Sequence, residues 1–286
     1  MSLCAKFGPG GNSESFYAEG YKSTLQAPEF VKSRGLGLYE YEAGNGIRAA
    51  TETFRAIGDE CKRHGIIPSF HTPYTISLSS VDEQKRINSV EIIRRSAECS
   101  DALNASVMVV HAGSAATIPR ETAMQYASET LRLADSMLRE NGFKVRLGIE
   151  TMGKQGQLGT LDEVIELCKL SDRFCPVVDF GHINARYNGC FFSADDYKKV
   201  FDRIATELGA EYAMNLHCHF SKIEYTKAGE KRHLTFADET FGPAYEPLIE
   251  AIVSLGVAPT IICESAGTMA EDAATMQRLY QTLSNS

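Results

Sequence analysis

The chain has 286 residues, a formal net charge of −8 and a sequence pI near 5.5, with 43% hydrophobic and 23% charged residues. This composition excludes a disordered or collagen-like chain, and no apolar run reaches the ~18–20 residues that a membrane-spanning helix needs. The acidic balance opposes a broad electrostatic footprint for nucleic acid, where Lys and Arg must displace counterions, but it leaves room for a local basic rim.

Met1–Phe7 carries neither a basic start followed by an apolar stretch nor an Arg-rich amphipathic pattern, so no secretory or transit signal is expected. Eight cysteines lie scattered without a CxxC pair and read as reduced thiols, which points to a cytoplasmic protein. No protein partner is read from the sequence.

Cys4–Phe7 opens an alternation of short apolar runs and amphipathic segments. Leu36–Tyr41 is the second run, followed by a helix over Glu52–His64 with Phe54, Ile57 and Cys61 at helical spacing and Gly65 as its C-cap. His64, in that last turn, answers the helix dipole. Ile66–His71 precedes a long helix over Asp82–Leu103, with Ile87, Val90, Ile93, Ala97 and Cys99 turned inward. Val107–His111 precedes a helix over Arg120–Arg139 that stops at Asn141-Gly142. After Val145–Glu150, Thr160–Glu163 reads as a capping box opening a helix through Leu170. Pro176–Phe180 then leads to a helix over Ser193–Leu208, and Met214–His219 to one over Tyr245–Leu255. Thr260–Glu264 and a helix over Met269–Leu283 end the chain. Eight short runs flanked by helices predict parallel strands covered by helices, and a single (β/α)8 TIM barrel spanning residues 1–286.

Strand ends carry the chemistry. Of seven histidines, five end or closely follow a predicted strand: His71, His111, His182, His217 and His219. Glu150 and Glu264 end two more strands, and Asp179 stands near the end of another. Strand C-termini of a barrel converge on one mouth. His, Asp and Glu are the ligand set for zinc, manganese or iron, and the absence of cysteine from these positions points to a catalytic site. Several carboxylates in one mouth also require a cation to offset their repulsion.

The motifs resemble the endonuclease IV family of apurinic/apyrimidinic endonucleases. The likeness rests on His71-Thr-Pro-Tyr74, Val109-Val-His111-Ala-Gly-Ser114, Gly148-Ile-Glu150, Val178-Asp179-Phe-Gly-His182, Leu216-His217-Cys-His219-Phe-Ser-Lys222 and Ile262-Cys-Glu264. It implies a cluster of two or three zinc ions, with manganese as the alternative. His71, His111 and Glu150 would hold the first ion, and Glu150 would bridge to a second completed by Asp179, His217 and Glu264. His182 would hold a third, where the family's Asp-x-His pair becomes Glu230-Lys-Arg-His233. The implied reaction is cleavage of duplex DNA 5′ to an abasic site, with Glu150, His182 and Glu264 in catalytic roles. Tyr74 would enter the DNA at the lesion, and His219, Lys222 and Lys154 would contact substrate.

Arg34, Arg48, Lys154, Arg186, Lys222, Lys227, Lys231 and Arg232 all fall in loops at or beyond strand ends and predict a basic rim. The Gly-rich segment Gln155–Gly159 reads as a flexible, DNA-facing loop. Two other readings fit the residues. A sugar isomerase or epimerase would use Glu150, Asp179, His217 and Glu264 around one divalent ion. A non-catalytic barrel would keep its metal as structure.

Overall fold

The computed structural model describes residues 4–285, so Met1–Leu3 of the segment read for targeting signals lie outside it. The eight predicted runs become the strands of one parallel sheet: β1 (Lys6–Pro9), β2 (Leu38–Glu42), β3 (Ile67–His71), β4 (Val107–His111), β5 (Arg146–Glu150), β6 (Phe174–Asp179), β7 (His217–Phe220) and β10 (Thr260–Cys263). A separate antiparallel hairpin, β8 (Lys222–Thr226) and β9 (Gly229–Leu234), follows β7 directly. The strand order is β1-β10-β7-β6-β5-β4-β3-β2, and a parallel bridge between Gly10 and Glu40 closes the ring. This is the expected TIM barrel.

The predicted helices appear as α3 (Thr51–His64), α4 (Glu83–Leu103), α5 (Arg120–Glu140), α6 (Leu161–Cys168), α8 (Ala194–Leu208), α10 (Glu246–Leu255) and α11 (Met269–Ser284). Four shorter ones accompany them: α1 (Glu14–Ala18), α2 (Ala27–Ser33), α7 (Phe180–Arg186) and α9 (Ala210–Met214). Met214, expected to begin a strand, instead closes α9. Phe54, Ile57 and Cys61 on α3 are buried as their spacing predicts, and Gly65 ends the helix at φ 68°. His64, in that last turn, also lies 3.6 Å from Glu60. Each such apolar side chain stabilises the packed layer by roughly 1.5–3 kcal/mol.

The barrel floor is tightly filled. A Cβ on Gly148 would fall 2.5 Å from Val177 and 2.9 Å from Val107, so β5 can stand between β4 and β6 only with glycine there. All eight cysteines are free thiols, and no helix among the described residues is long and apolar enough to cross a membrane.

Candidate metal centre

The mouth is built from strand ends. Register sets His111 level with Glu150, and Glu42 level with His71. His219 is level with Asp179 on β6 and Ile262 on β10, while His217, two residues earlier, is level with Val177 and Thr260. The two β7 histidines therefore share a face at different depths. His219 reaches the mouth, and His217 stays below it.

Glu150 stands at the centre and is 1% exposed. Its Oε2 lies 3.3 Å from His71 Nε2 and 3.3 Å from His111 Nε2. Its Oε1 lies 3.1 Å from His219 Nδ1 and 3.4 Å from His182 Nδ1. Each carboxylate oxygen thus faces a different pair of imidazoles. Ligand atoms of His71, His111 and Glu150 come within 4.8 Å of one another, as do those of Glu150, Asp179, His219 and Glu264. His182, Glu230 and His233 form a third group on the same criterion.

These groups correct the expected second set. His219, not His217, stands with Glu150, Asp179 and Glu264. Both ring nitrogens of His217 are already engaged, Nδ1 with Thr260 Oγ1 at 2.8 Å and Nε2 with Glu40 Oε2 at 3.0 Å.

Asp179 caps α7 by accepting the His182 backbone N–H at 2.6 Å, which sets His182 one turn into the helix. His182 Nδ1 meets the Thr151 carbonyl at 3.0 Å, so Nε2 turns toward Glu230 Oε2, 3.5 Å away. His71 uses the same device, with Nδ1 at 3.0 Å from the Thr72 carbonyl and Nε2 toward Glu150. A carbonyl on one ring nitrogen leaves the other as the ligating atom.

Glu230 and His233 arrive on β9. Three residues apart on a regular strand, they would point to opposite faces. Glu224 pairs with Arg232 and Tyr225 with Glu230, which leaves Lys231 as an extra residue in the ladder. This β-bulge returns Glu230 and His233 to one face. Gly153 makes room for Glu230 beside His182: a Cβ there would lie 2.6 Å from Glu230 Cβ and 3.1 Å from His182 Cδ2.

Electrostatics within the mouth are opposed and strong. Burial alone would raise Glu150, but the imidazoles of His219, His182 and His71 outweigh it and hold the carboxyl well below its usual range. Burial raises Glu264 to about 8, with Glu150 and Asp179 adding to the rise against His219. Burial also raises Glu42 to about 7. His71 is pushed up to about 10, since Glu42, Glu150 and Glu40 overcome its desolvation, whereas burial takes His111 down to about 4. Asp179 Oδ2 and Glu42 Oε1 are buried with no hydrogen-bond partner. Crowded carboxylates, outward-turned imidazole nitrogens and orphaned acidic oxygens fit a divalent cation.

A cavity of about 580 Å3 opens above these groups, lined by Tyr74, Lys154, Gln157 and Ser265 as well as the ligand-type side chains. Tyr74 is 57% exposed, its ring centroid 6.0 Å from that of His111. Lys154 is the only Lys or Arg lining the cavity among the described residues.

Most of the expected basic rim is engaged elsewhere. Arg34 pairs with Glu19, and Lys231 and Arg232 both pair with Glu224. The Lys222 ammonium is held by the carbonyls of Phe236 and Asp238, which corrects its assignment as a substrate contact. Arg186 is 5% exposed and donates to the carbonyls of Met152, Lys154, Gln155 and Gln157. Arg120 donates to the last two carbonyls as well. The Gly-rich segment is therefore pinned, and the expectation of a flexible loop is corrected. Arg48, Lys154 and Lys227 remain without an ion pair among the described residues.

Glu40 and Glu42 escaped the sequence reading. The alternation Leu38-Tyr-Glu40-Tyr-Glu42 put both carboxylates on one face of β2 and was the signal available.

A model of the xylose isomerase-like TIM barrel matches residues 28–281. An uncharacterized protein of Methanocaldococcus jannaschii is 28% identical over 261 residues, covering 91% of this chain and 92% of that protein. A probable endonuclease 4 of Acholeplasma laidlawii is 28% identical over 243 residues, covering 81% of this chain and 79% of the relative. The crystal structure of a D-tagatose 3-epimerase-like protein superposes with a TM-score of 0.71 at 18% identity, covering 97% of this chain and 98% of that one. The chain belongs to the xylose isomerase-like TIM barrel family, with buried His and Glu groups suited to divalent metal at the mouth of its barrel.

Proposed function

We propose that the protein is a metal-dependent phosphodiester hydrolase of the endonuclease IV type, acting on DNA that carries abasic sites. The observation that carries this reading is the Glu150 carboxylate, one oxygen facing His71 and His111 and the other facing His219 and His182, beside a third group of His182, Glu230 and His233. A single-ion enzyme has no use for three such groups. The curated relatives named as probable endonuclease 4 support the same assignment.

His71, His111 and Glu150 would hold one ion, Glu150, Asp179, His219 and Glu264 a second, and His182, Glu230 and His233 a third. Zinc, or manganese in its place, would supply a nucleophile near neutral pH and neutralise charge on the phosphoryl oxygens. The chain's own residues do the remainder. Glu264 holds or releases a proton at the cavity floor while Glu150 stays ionised beside it, Lys154 offers a cation to a phosphate from the pinned segment, and Tyr74 projects from the mouth toward the damaged site.

The test is nicking of a duplex with one abasic analogue, after chelation and return of Zn2+. Glu264→Gln should remove most of that activity while leaving the fold intact. Retained nicking by this variant refutes the assignment of the cluster.

One observation favours a second reading. Glu150, Asp179, His219 and Glu264 alone complete the shell of one ion, and most of the expected basic rim is engaged internally. That pattern suits a sugar epimerase on the same barrel. One bound ion per chain with sugar turnover would select it; two or three ions with nicking would select the nuclease.

A further inference from the structure

Beneath the mouth, β2 and β7 bury a carboxylate between two imidazoles. Glu40 is fully buried, and His217 is 6% exposed. His217 is locked by Thr260 Oγ1 at 2.8 Å on Nδ1 and holds Glu40 Oε2 at 3.0 Å with Nε2. The other oxygen, Glu40 Oε1, lies 2.8 Å from His219 Nε2, and neither atom has an aligned hydrogen bond to any group. Across the same ring, His219 Nδ1 stands 3.1 Å from Glu150 Oε1 and 3.3 Å from Glu264 Oε1. His219 is thus suspended between a carboxylate below and the ligand group above.

We propose that Glu40, braced from below by His217 and Thr260, is a positioning residue that fixes the His219 ring with Nδ1 turned into the Glu150–Asp179–Glu264 group. The proposal rests on the reading of that group as a metal site. A carboxylate on the far nitrogen of a ligating imidazole orients the ring and raises its basicity. His219 Nε2 is buried, and Glu40 Oε1 is the carboxylate oxygen nearest to it, at 2.8 Å. Ligand atoms of Glu40, His217 and His219 also come within 4.8 Å of one another, but the carboxylate sits closer to both imidazoles than two donors around one zinc would. Two donors at ~2.0–2.1 Å around a tetrahedral zinc stand about 3.3 Å apart, and the contacts here are 2.8 and 3.0 Å. Glu40 therefore acts on the ligand and not on the ion.

The test is a double-mutant cycle read in Zn2+ affinity, by competition with a chromophoric chelator, on the full-length protein. Glu40→Gln should weaken the ion held through His219 by about 10–100-fold. Because Glu40 acts through His219, the double variant Glu40→Gln/His219→Ala should bind no more weakly than His219→Ala alone, within about twofold. Losses that multiply, or a Glu40→Gln affinity within about twofold of the parent, overturn the proposal. Circular dichroism of the metal-free variants reports folding. Should Glu40→Gln fail to fold, His217→Asn withdraws the brace instead: an affinity loss above about fivefold supports the proposal, and a smaller one overturns it. A parent protein that takes up no Zn2+ refutes the metal reading itself, whereas an indifferent variant of a Zn2+-binding parent refutes only this inference.

Discussion

Arg186→Met gives the sharpest test of how the mouth is held. The guanidinium is buried with no carboxylate partner among the described residues and serves four carbonyls of the segment after β5. The four losses differ in weight. Gln155 and Gln157 keep the Arg120 guanidinium, and the Lys154 carbonyl keeps the Gln157 amide at 3.0 Å. The Met152 carbonyl loses its only donor among the described residues. An orphaned buried acceptor costs about 1–3 kcal/mol, and forfeiting a charged donor at Lys154 adds up to roughly 2 kcal/mol. Removing an unpaired buried cation offsets part of this, which leaves about 1–4 kcal/mol. For a chain of this size that lowers the melting temperature by about 2–8 °C. Amide hydrogen exchange should quicken over residues 152–159, while bound Zn2+ stays at the parent level, since no ligand of the Glu150 groups changes. Parental exchange in that segment would show that Arg120 alone pins it and that Arg186 does not.

Gly153→Ala drives a methyl group to 2.6 Å from Glu230 Cβ, so the hairpin must yield. Overpacking of this kind costs about 1–3 kcal/mol, and bound-metal analysis should show about one ion fewer per chain, with parental content refuting the role given to β9. Lys154→Ala should raise KM for an abasic duplex roughly fivefold through loss of about 1 kcal/mol of contact, with metal content unchanged; an unaltered KM removes Lys154 from the substrate. The pH dependence follows from two raised pKa values. His71, held at about 10, contributes stability that is full below its unfolded value near 6.5 and lost as pH rises toward 10. Glu264, at about 8, binds its proton more tightly when folded, so its share fades between about 4.5 and 8. Melts of the chelated protein should therefore fall steadily from pH 6 to pH 9 while Zn2+ affinity rises. Melting that is flat or rising over that range contradicts both assignments.

Much of this architecture was legible because a parallel barrel writes a simple code: a short apolar run, a polar end, an amphipathic helix. The ligand-type residues sat at the polar ends, so His71, His111, Glu150, Asp179 and Glu264 could be found by position alone. Depth was not legible. His217 and His219 alternate identically, and only the stagger of β7 against β6 and β10 separates them. Nor could one read which cations are free. Arg186 and Lys222 follow strand ends, as rim residues do, yet Arg186 ends α7, Lys222 opens β8, and both are consumed by backbone carbonyls. The helix α7 left no signal because it is buried on every side, and a helix without a polar face has no amphipathic period. Glu40 was missed because it lies mid-strand, where an acid was not expected.

The extra residue on β9 has a consequence for how such sites are recognised. Lys231 breaks the ladder and lets an acid and a histidine three positions apart do what a pair two apart does on an unbroken strand. Sequence distance between donors is therefore exchangeable with backbone irregularity. Deleting Lys231 would give Glu-x-His on a straight hairpin with both side chains still toward His182, so two chains with discordant patterns in this segment can present one constellation in space.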